Sequence, residues 1–423
     1  MRARTPIVLT LVAALSGCAA CDTVPPDAVT DCSAQIVPGI AATDVLFIVD
    51  DSASMAGEQA ELAANLGTFI DELLGSAIAL DVRIGVTNTS VSDFSSTSGA
   101  DGPATYLGGV FAGKPYPRGS VVAVLDPDGV VTPGRFAFDP VVYGTATGGW
   151  GGHRILSSAS TPAADLIRYF KANVRHGIQG SGKEQPLRAM RMAIDKAEQL
   201  GGENLGFLRA NARLAVVIVT DEDDCSESTA PFIVGDAQTG NDQCHSGSVK
   251  ASGLDPLDDF VTLLDTTGGE PIVAVIAGFA QTALLEPTGC SSASTSSSDD
   301  PTRLDAFLGK LDAAHPGRTF KDSICNDFGP SLLRIAEVII PQTMPLQQSP
   351  QDYRMMAVAI QRPGSATPIP CPMEPFGSAA AADPATGVIY NTAPPGGLPS
   401  LTFQNQCRLG LGDRVDLRIV CVR

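Results

Sequence analysis

Basic residues are scarce in this chain: 28 Lys and Arg stand against 46 Asp and Glu, a formal net charge of −18 over 423 residues. A field of that sign repels nucleic acid and anionic headgroups and attracts divalent cations, so DNA and RNA are excluded as partners. Histidine is rare too. His153, His176, His245 and His315 form no HExxH pair, and nothing in the pattern recommends any of them as a general base. There is no GxSxG, so the nucleophile elbow of a serine hydrolase is missing. The acid and base of a glycosidase need a separation that the dense acidic cluster at 221–224 does not offer. Gly177–Lys183 matches GxxxxGK, but Glu184 follows where a P-loop requires Ser or Thr, and no strand precedes it. A carboxylate there would repel phosphates, and nucleotide is excluded. Asp126 and Asp128 lack the rest of an EF-hand loop and read as a turn. Past the N-terminus no apolar run reaches the ~18 residues of a membrane span. The expectation is a protein that is not an enzyme.

What is present begins with a leader. Arg2 and Arg4 precede a short apolar stretch, Pro6 to Leu15, and Leu15-Ser16-Gly17-Cys18 then fits a lipobox. Residues 1–17 are read as a lipoprotein signal peptide, Cys18 as the lipidated residue and 18–40 as a tether. The membrane is then reached by the lipid anchor alone. Ala19 lacks the Asp of inner-membrane retention, which points to the outer membrane. With Cys18 set aside, nine cysteines and no CxxC pair remain, so disulfides are expected rather than zinc. Neighbouring positions suggest Cys225–Cys244 and Cys290–Cys325.

The apolar share, 44%, supports a sizeable core. Val45–Val49, Leu214–Val219 and Pro271–Ala277 read as buried strands, and Asp81–Val86 as another. Helical spacing marks Glu58–Leu74, Pro162–Lys171, Glu184–Leu200, Leu254–Leu264, Arg303–Leu311 and Ser331–Ile340. Strand and helix alternate, which predicts an α/β fold with a doubly wound, mostly parallel sheet over 41–341. A long insertion at about 88–163, with a hairpin around 126–129 and the only Trp, Trp150, elaborates its edge. Twelve of the 31 prolines fall from Pro341 onward. Residues 342–423 are therefore expected to form a small Pro-rich β appendage, with strands at Tyr353–Ile360 and Asp416–Val422.

Two acidic exits from buried strands carry the functional reading. One is Asp50-Asp51-Ser52-Ala53-Ser54, a DxSxS pattern; the other is Thr220-Asp221 followed by Glu222, Asp223 and Asp224. Oxygen donors of this kind suit a hard cation, and sites on open parallel sheets form beyond the carboxyl ends of strands. The segments Phe47–Met55 and Val217–Asp224 resemble the von Willebrand factor type A domain and its metal-ion-dependent adhesion site, over roughly Ala41 to Pro341. The resemblance implies that Asp50, Ser52, Ser54 and Asp221 surround an ion. Glu184, in the segment Gly180–Met190, stands where the family has Thr and is taken as the substitute ligand, with Ser181 the alternative. Asp51, Asp223 and Asp224 are further candidates. The resemblance implies a divalent cation, Mg²⁺ first and Ca²⁺ or Mn²⁺ next. It also implies a partner, a protein or cell-surface ligand, whose carboxylate completes the ion. A structural ion with binding by the insertion is a second reading, and an exported metal-dependent hydrolase a third.

Overall fold

The computed structural model describes residues 30–31, 38–91, 134–136, 154–176, 178, 184–227, 254–268, 271–292, 298–347, 349–350, 353–375, 386–393 and 398–421. The leader, Cys18, Ser181, Cys244, Trp150 and the hairpin around 126–129 lie outside the described residues. A two-residue strand, β1 (Thr30–Asp31), comes first in the chain. The main sheet then takes β2 (Ala41–Val49), β3 (Leu80–Thr87), β4 (Leu156–Ser157), β5 (Arg213–Val219), β6 (Ile272–Ala277) and β7 (Thr319–Ser323). Their order across the sheet is β4-β3-β2-β5-β6-β7, parallel throughout except for the short edge strand β4. This is a doubly wound α/β arrangement.

Alternation along the strands explains why helices cover both faces. Successive side chains of a strand point to opposite sides. Val45, Phe47 and Val49 of β2 join one core, while Leu46 and Ile48 join the other. The first core is closed by α1 (Ala56–Leu74), α2 (Ala163–Val174) and, later in the chain, a helix at Phe328–Ile339. Phe47 stacks edge-on against Phe170 at 4.8 Å and Phe69 at 5.7 Å, which fixes α1 and α2 over β2. The second core is closed by α3 (Pro186–Glu198), α4 (Leu257–Gly268) and α5 (Thr302–Ala314); the Phe328–Ile339 helix is α6. Because both faces are dry, the central strands read as unbroken apolar runs.

β7 is an addition to the expected set of strands. Its sequence, Thr-Phe-Lys-Asp-Ser, has no apolar run, because an edge strand needs only one covered side. The order of the parallel strands reverses between β2 and β5. In open α/β sheets the crevice at such a switch point, outside the carboxyl ends, is where ligands bind.

The C-terminal region contributes two four-stranded sheets. One is β11-β12-β13-β8, built from β8 (Thr343–Pro345), β11 (Met373–Pro375), β12 (Val388–Asn391) and β13 (Ser400–Phe403). The other is β1-β14-β9-β10, with β9 (Met356–Gln361), β10 (Ile369–Pro370) and β14 (Arg414–Cys421). Pro345, Pro370 and Pro375 each end a strand, where a missing N–H is tolerated. A third core holds these sheets together around Val358, Ile360, Val388, Leu401 and Phe403, and Ile340 at the end of α6 reaches into it. The segment read as a tether supplies β1, which pairs with the end of β14, and Pro38 bridges to Leu346.

Cys290–Cys325 is a disulfide, as expected from sequence. Cys371–Cys407 is a second one, a pair of consecutive cysteines that the sequence reading left unpaired. Cys225 is disulfide-bonded as well.

Candidate functional site

The crevice begins where β2 stops. Asp50 N donates to Val219 O at 2.9 Å, extending the ladder between β2 and β5 by one step, and Thr220 N donates to Ile276 O at 3.1 Å. The two strand exits therefore leave side by side. Asp50 turns the chain: Ser52 N donates to its Oδ1 at 2.7 Å, a local side-chain-to-backbone turn of the kind aspartate favours. Thr220 Oγ1 donates to Asp50 Oδ2 at 2.7 Å and Thr89 Oγ1 to Oδ1 at 3.3 Å. Gln59, in the first turns of α1, donates to Asp50 O at 2.7 Å. Ser52 Oγ and Ser54 Oγ lie 3.0 Å apart, Ser52 buried and Ser54 exposed, so Ser54 marks the mouth.

Glu184 enters from a third side. Its backbone is pinned on both flanks: it bridges to Ser90 beyond β3, Cys225 N donates to Glu184 O at 2.8 Å, and Gln185 N donates to Thr89 O at 3.0 Å. These contacts bring Glu184 in among Asp50, Asp221 and Glu222, whose negative charges act on it. Asp50, Ser52, Ser54, Glu184 and Asp221 thus share one crevice. Ser181 is outside the described residues.

The remaining candidates are engaged elsewhere. Asp51 accepts from Ser90 Oγ at 2.7 Å and from Asn88 Nδ2, which ties the β2 exit to the β3 exit. Asp223 accepts from Arg303 N and Leu304 N at 2.9 and 3.1 Å, filling the orphan amides at the start of α5. Asp224 accepts from Leu187 N at 3.0 Å at the start of α3 and from Arg303 Nε at 2.7 Å. The acidic run 221–224 therefore divides. Its first member faces the crevice, and Asp223 and Asp224 hold two helices in place.

Sequence reasoning missed Glu58. It sits in the first turn of α1, is 1% exposed, and its charge acts on Asp221. Only the helix register, four residues after Ser54, could have flagged it. Glu58 and Glu184 are the two carboxylates, among the described residues, whose oxygens are both buried with no hydrogen-bond partner; Asp221 Oδ1 is unpartnered as well. None of the ion pairs among the described residues involves Asp50, Glu58, Glu184 or Asp221. Native proteins leave few buried polar atoms unpaired; among the described residues, both oxygens of Glu58 and of Glu184 and Oδ1 of Asp221 are of this kind.

The electrostatics follow. Burial pushes the Asp221 carboxyl up to about 8, and the charge of Asp50 adds to the shift. Burial also lifts Asp50 to about 6, against the hydrogen bonds from Ser52 and Thr220. Glu184 is raised well above the usual range, by burial first and by Glu222 and Asp50 next. Asp51 and Asp223 are each lifted to about 6 by burial, although hydrogen-bond donors oppose the rise. His176 backs the β2 exit, with Nε2 3.1 Å from Val49 O and Nδ1 3.0 Å from Asn173 O, and burial holds its pKa down to about 4. It brings no positive charge to the site at neutral pH.

No three His, Cys, Asp or Glu side chains among the described residues stand close enough to chelate an ion by themselves. The donor set is mixed instead: two adjacent hydroxyls at the mouth with carboxylates set around them. That chemistry fits a hard cation which keeps water in its shell, so that some carboxylates act through water. The unpartnered oxygens of Glu58, Glu184 and Asp221 are what such an ion would satisfy.

No protein-family model matches the chain, and no curated protein matches it. Among solved structures, it is similar to the pilus adhesin SpaC from Lactobacillus rhamnosus GG in its open conformation. There the identity is 10%, the overlap covers 91% of this chain and 40% of that one, and the TM-score is 0.37. The pilus adhesin RrgA from Streptococcus pneumoniae overlaps at 10% identity over 91% and 58% of the two chains, with a TM-score of 0.32. Proximal thread matrix protein 1 from the mussel byssus overlaps at 10% identity over 71% and 49%, with a TM-score of 0.29. The chain spans less than two thirds of each of these proteins. Overlaps this loose carry no argument, and the fold is read from strand order alone.

Proposed function

We propose that this chain is a cell-envelope protein that binds a macromolecular partner with the crevice face of a type A-like domain, organised by a divalent cation at the β2/β5 switch point. One observation carries the reading: among the described residues, Glu58 and Glu184 bury both carboxylate oxygens without a partner, beside Asp50 and Asp221, and no Lys or Arg of the described residues pairs with them. Burying an ionised carboxylate costs several kcal/mol unless a counter-charge offsets it, and a hard cation is the counter-charge this donor set suits.

Ser52 and Ser54 would hold the ion directly, Asp50 and Asp221 largely through water, and Glu184 would take the place of the family's Thr. Bound there, the ion supplies a positive pole at the mouth and ties three strand exits together. The chain's own residues position that pole. The ladder step at Asp50, the Asp51–Ser90 bond and the pinned backbone of Glu184 hold the loops in register. The partner is a protein or another cell-surface ligand. Lipid on Cys18 would anchor the chain, with the outer membrane as its place. Among the described residues no helix is long and apolar enough to cross a membrane.

The test is thermal unfolding of the chelator-stripped chain with Mg²⁺, Ca²⁺ or Mn²⁺ added back. At a hundredfold excess over Kd, a cation bound only by the folded state adds about 2.7 kcal/mol, and the midpoint rises. The double variant Ser52→Ala/Ser54→Ala loses that rise while remaining folded. A wild-type midpoint indifferent to all three ions overturns the reading.

A further inference from the structure

We infer that the cleft between α6 and the C-terminal sheets binds a small zwitterion of amino-acid or dipeptide size, whose carboxylate meets Arg408 and whose ammonium meets Glu337. None of the cleft's residues belongs to the crevice, and the inference does not depend on the cation reading.

The cleft has a volume of about 460 Å³, inside the range of roughly 300–1,000 Å³ for small-molecule sites, which favour the boundary between packed units. Its lining comes from the end of α6, from Arg362 just past β9, and from the segment 405–410 after β13. That segment is tied down from several directions. Arg362 donates from Nη2 to Gln406 O and Arg408 O, each at 3.0 Å, and its Nη1 pairs with Asp413. Gln342, just past α6, donates to Leu409 O at 3.0 Å and accepts from Leu409 N at 2.8 Å. The Cys371–Cys407 disulfide crosses to the same turn. Asn405 takes the left-handed conformation, φ 51°, which Asn tolerates better than most residues, and its Nδ2 donates to Thr386 O at 2.9 Å. A cleft held this way is formed before any ligand arrives, which lowers the ordering cost of binding.

Two charges in it are left over. Asp413 answers Arg362. Among the described residues, neither the Arg408 guanidinium nor the Glu337 carboxylate has a hydrogen bond or an ion pair, with the other or with a third group. Glu337 does nothing for its helix either. It lies in the last turn of α6, where the exposed carbonyls favour a cation and no basic residue is present. A Cβ at Gly410 would stand 4.0 Å from Glu337 Oε1 and 3.8 Å from Arg362 Nη1, so the carboxylate turns toward the glycine of the cleft. An ammonium placed there meets the carboxylate and the carbonyl end of α6 together. The fork of Arg408 suits a carboxylate taken in two parallel hydrogen bonds. Val338 and Leu409 add apolar surface to the same lining. A lone anion or a lone cation answers one of the two charges and is opposed by the other. A molecule that carries both signs answers both, and the volume limits its length.

Calorimetric titration of the full chain in chelator with L-leucine and with L-leucyl-L-leucine tests this. N-acetyl-leucine, which lacks the ammonium, and leucinamide, which lacks the carboxylate, are run beside them. At least one of the two zwitterions is expected to bind, at least tenfold more tightly than either blocked form. Arg408→Gln and Glu337→Gln should each weaken that zwitterion at least tenfold. Both variants should keep the wild-type thermal midpoint, because neither side chain has a partner to lose. No binding of either zwitterion overturns the inference. Blocked forms that bind as tightly as the zwitterions overturn the pairing of charges, and affinity unchanged in both variants overturns the site. None of these outcomes touches the cation reading.

Discussion

Strand β2 carries a buried aspartate toward one end and another just past the other, and the fold treats the two differently. Around Asp44 the chain supplies its own counter-charge. Arg209 donates from Nε to Oδ1 at 2.8 Å and from its backbone N to Oδ2 at 2.9 Å, and the same guanidinium pairs with Asp81 at 2.6 Å. Around Asp50 the described residues supply hydroxyls and amides, together with further carboxylates. Arg209 does not cancel burial completely, since desolvation still leaves the Asp44 carboxyl above its ordinary value. It does give each oxygen a donor, which Glu58 and Glu184 lack. The contrast teaches that this fold can cover a buried acid with arginine where the acid is structural. At the switch point, among the described residues, no arginine or lysine pairs with Asp50, Glu58, Glu184 or Asp221.

The hardest test of that contrast is Arg209→Ala. Leaving Asp44 buried without its counter-charge should cost about 3–5 kcal/mol, read by urea unfolding at neutral pH in chelator. A loss within experimental error would mean that Asp44 needs no partner, and the argument from unpaired crevice acids would weaken with it. The opposite sign is expected in the crevice. Glu184→Gln should stabilise the metal-free protein by about 1–3 kcal/mol, the range for relieving an unsatisfied buried polar group, and should shrink its response to cation. Destabilisation in that variant would assign Glu184 to packing.

Acidity gives a third comparison. Asp221 has its pKa raised to about 8 from an ordinary 3.8. Its contribution to stability is therefore full below the unfolded value and is lost as pH rises toward the folded one. In chelator, the thermal midpoint should climb as pH is lowered from about 8 to 6.5, and saturating Ca²⁺ should flatten that climb. The window above 6.5 isolates the acids. Buried His176, held near 4 against an ordinary 6.5, works against the folded state only below 6.5. A chelated midpoint that falls on acidification across this window would contradict the assignment. The smallest effect is expected at Asp223→Ala, which removes the acceptor for two amides of α5 and should cost about 1 kcal/mol, as helix caps do. The cation response should not change. If it did, the division within the run 221–224 would be wrong.

Much of the fold was legible because its signals are local. The apolar runs at Val45–Val49 and Leu214–Val219 are long enough to mark dry strands, and the helical spacing of Leu62, Leu66, Phe69 and Ile70 marks α1. β7 escaped because Thr319–Ser323 carries a lysine and an aspartate on a half-covered edge. In the crevice, the DxSxS exit and Asp221 were visible as acids leaving buried strands. Asp221 stood apart because it leads directly out of the strand, whereas Asp223 and Asp224, further on, read equally as ligands or as a solvated face. Only the approach of α5 and α3, brought in by residues far along the chain, turned them into caps.

The amino-acid order alone determined the alternation of strand and helix, the acidic balance and the two polar exits, since these depend on near neighbours and on side-chain chemistry. The tertiary structure decided that the exits adjoin, with Thr220 donating to Asp50 across a separation of 170 residues. It also decided that Glu58 lies buried with neither oxygen paired. Whether a carboxylate is solvated, capped or left facing other carboxylates depends on what packs over it, and packing is set by the order of strands in the sheet.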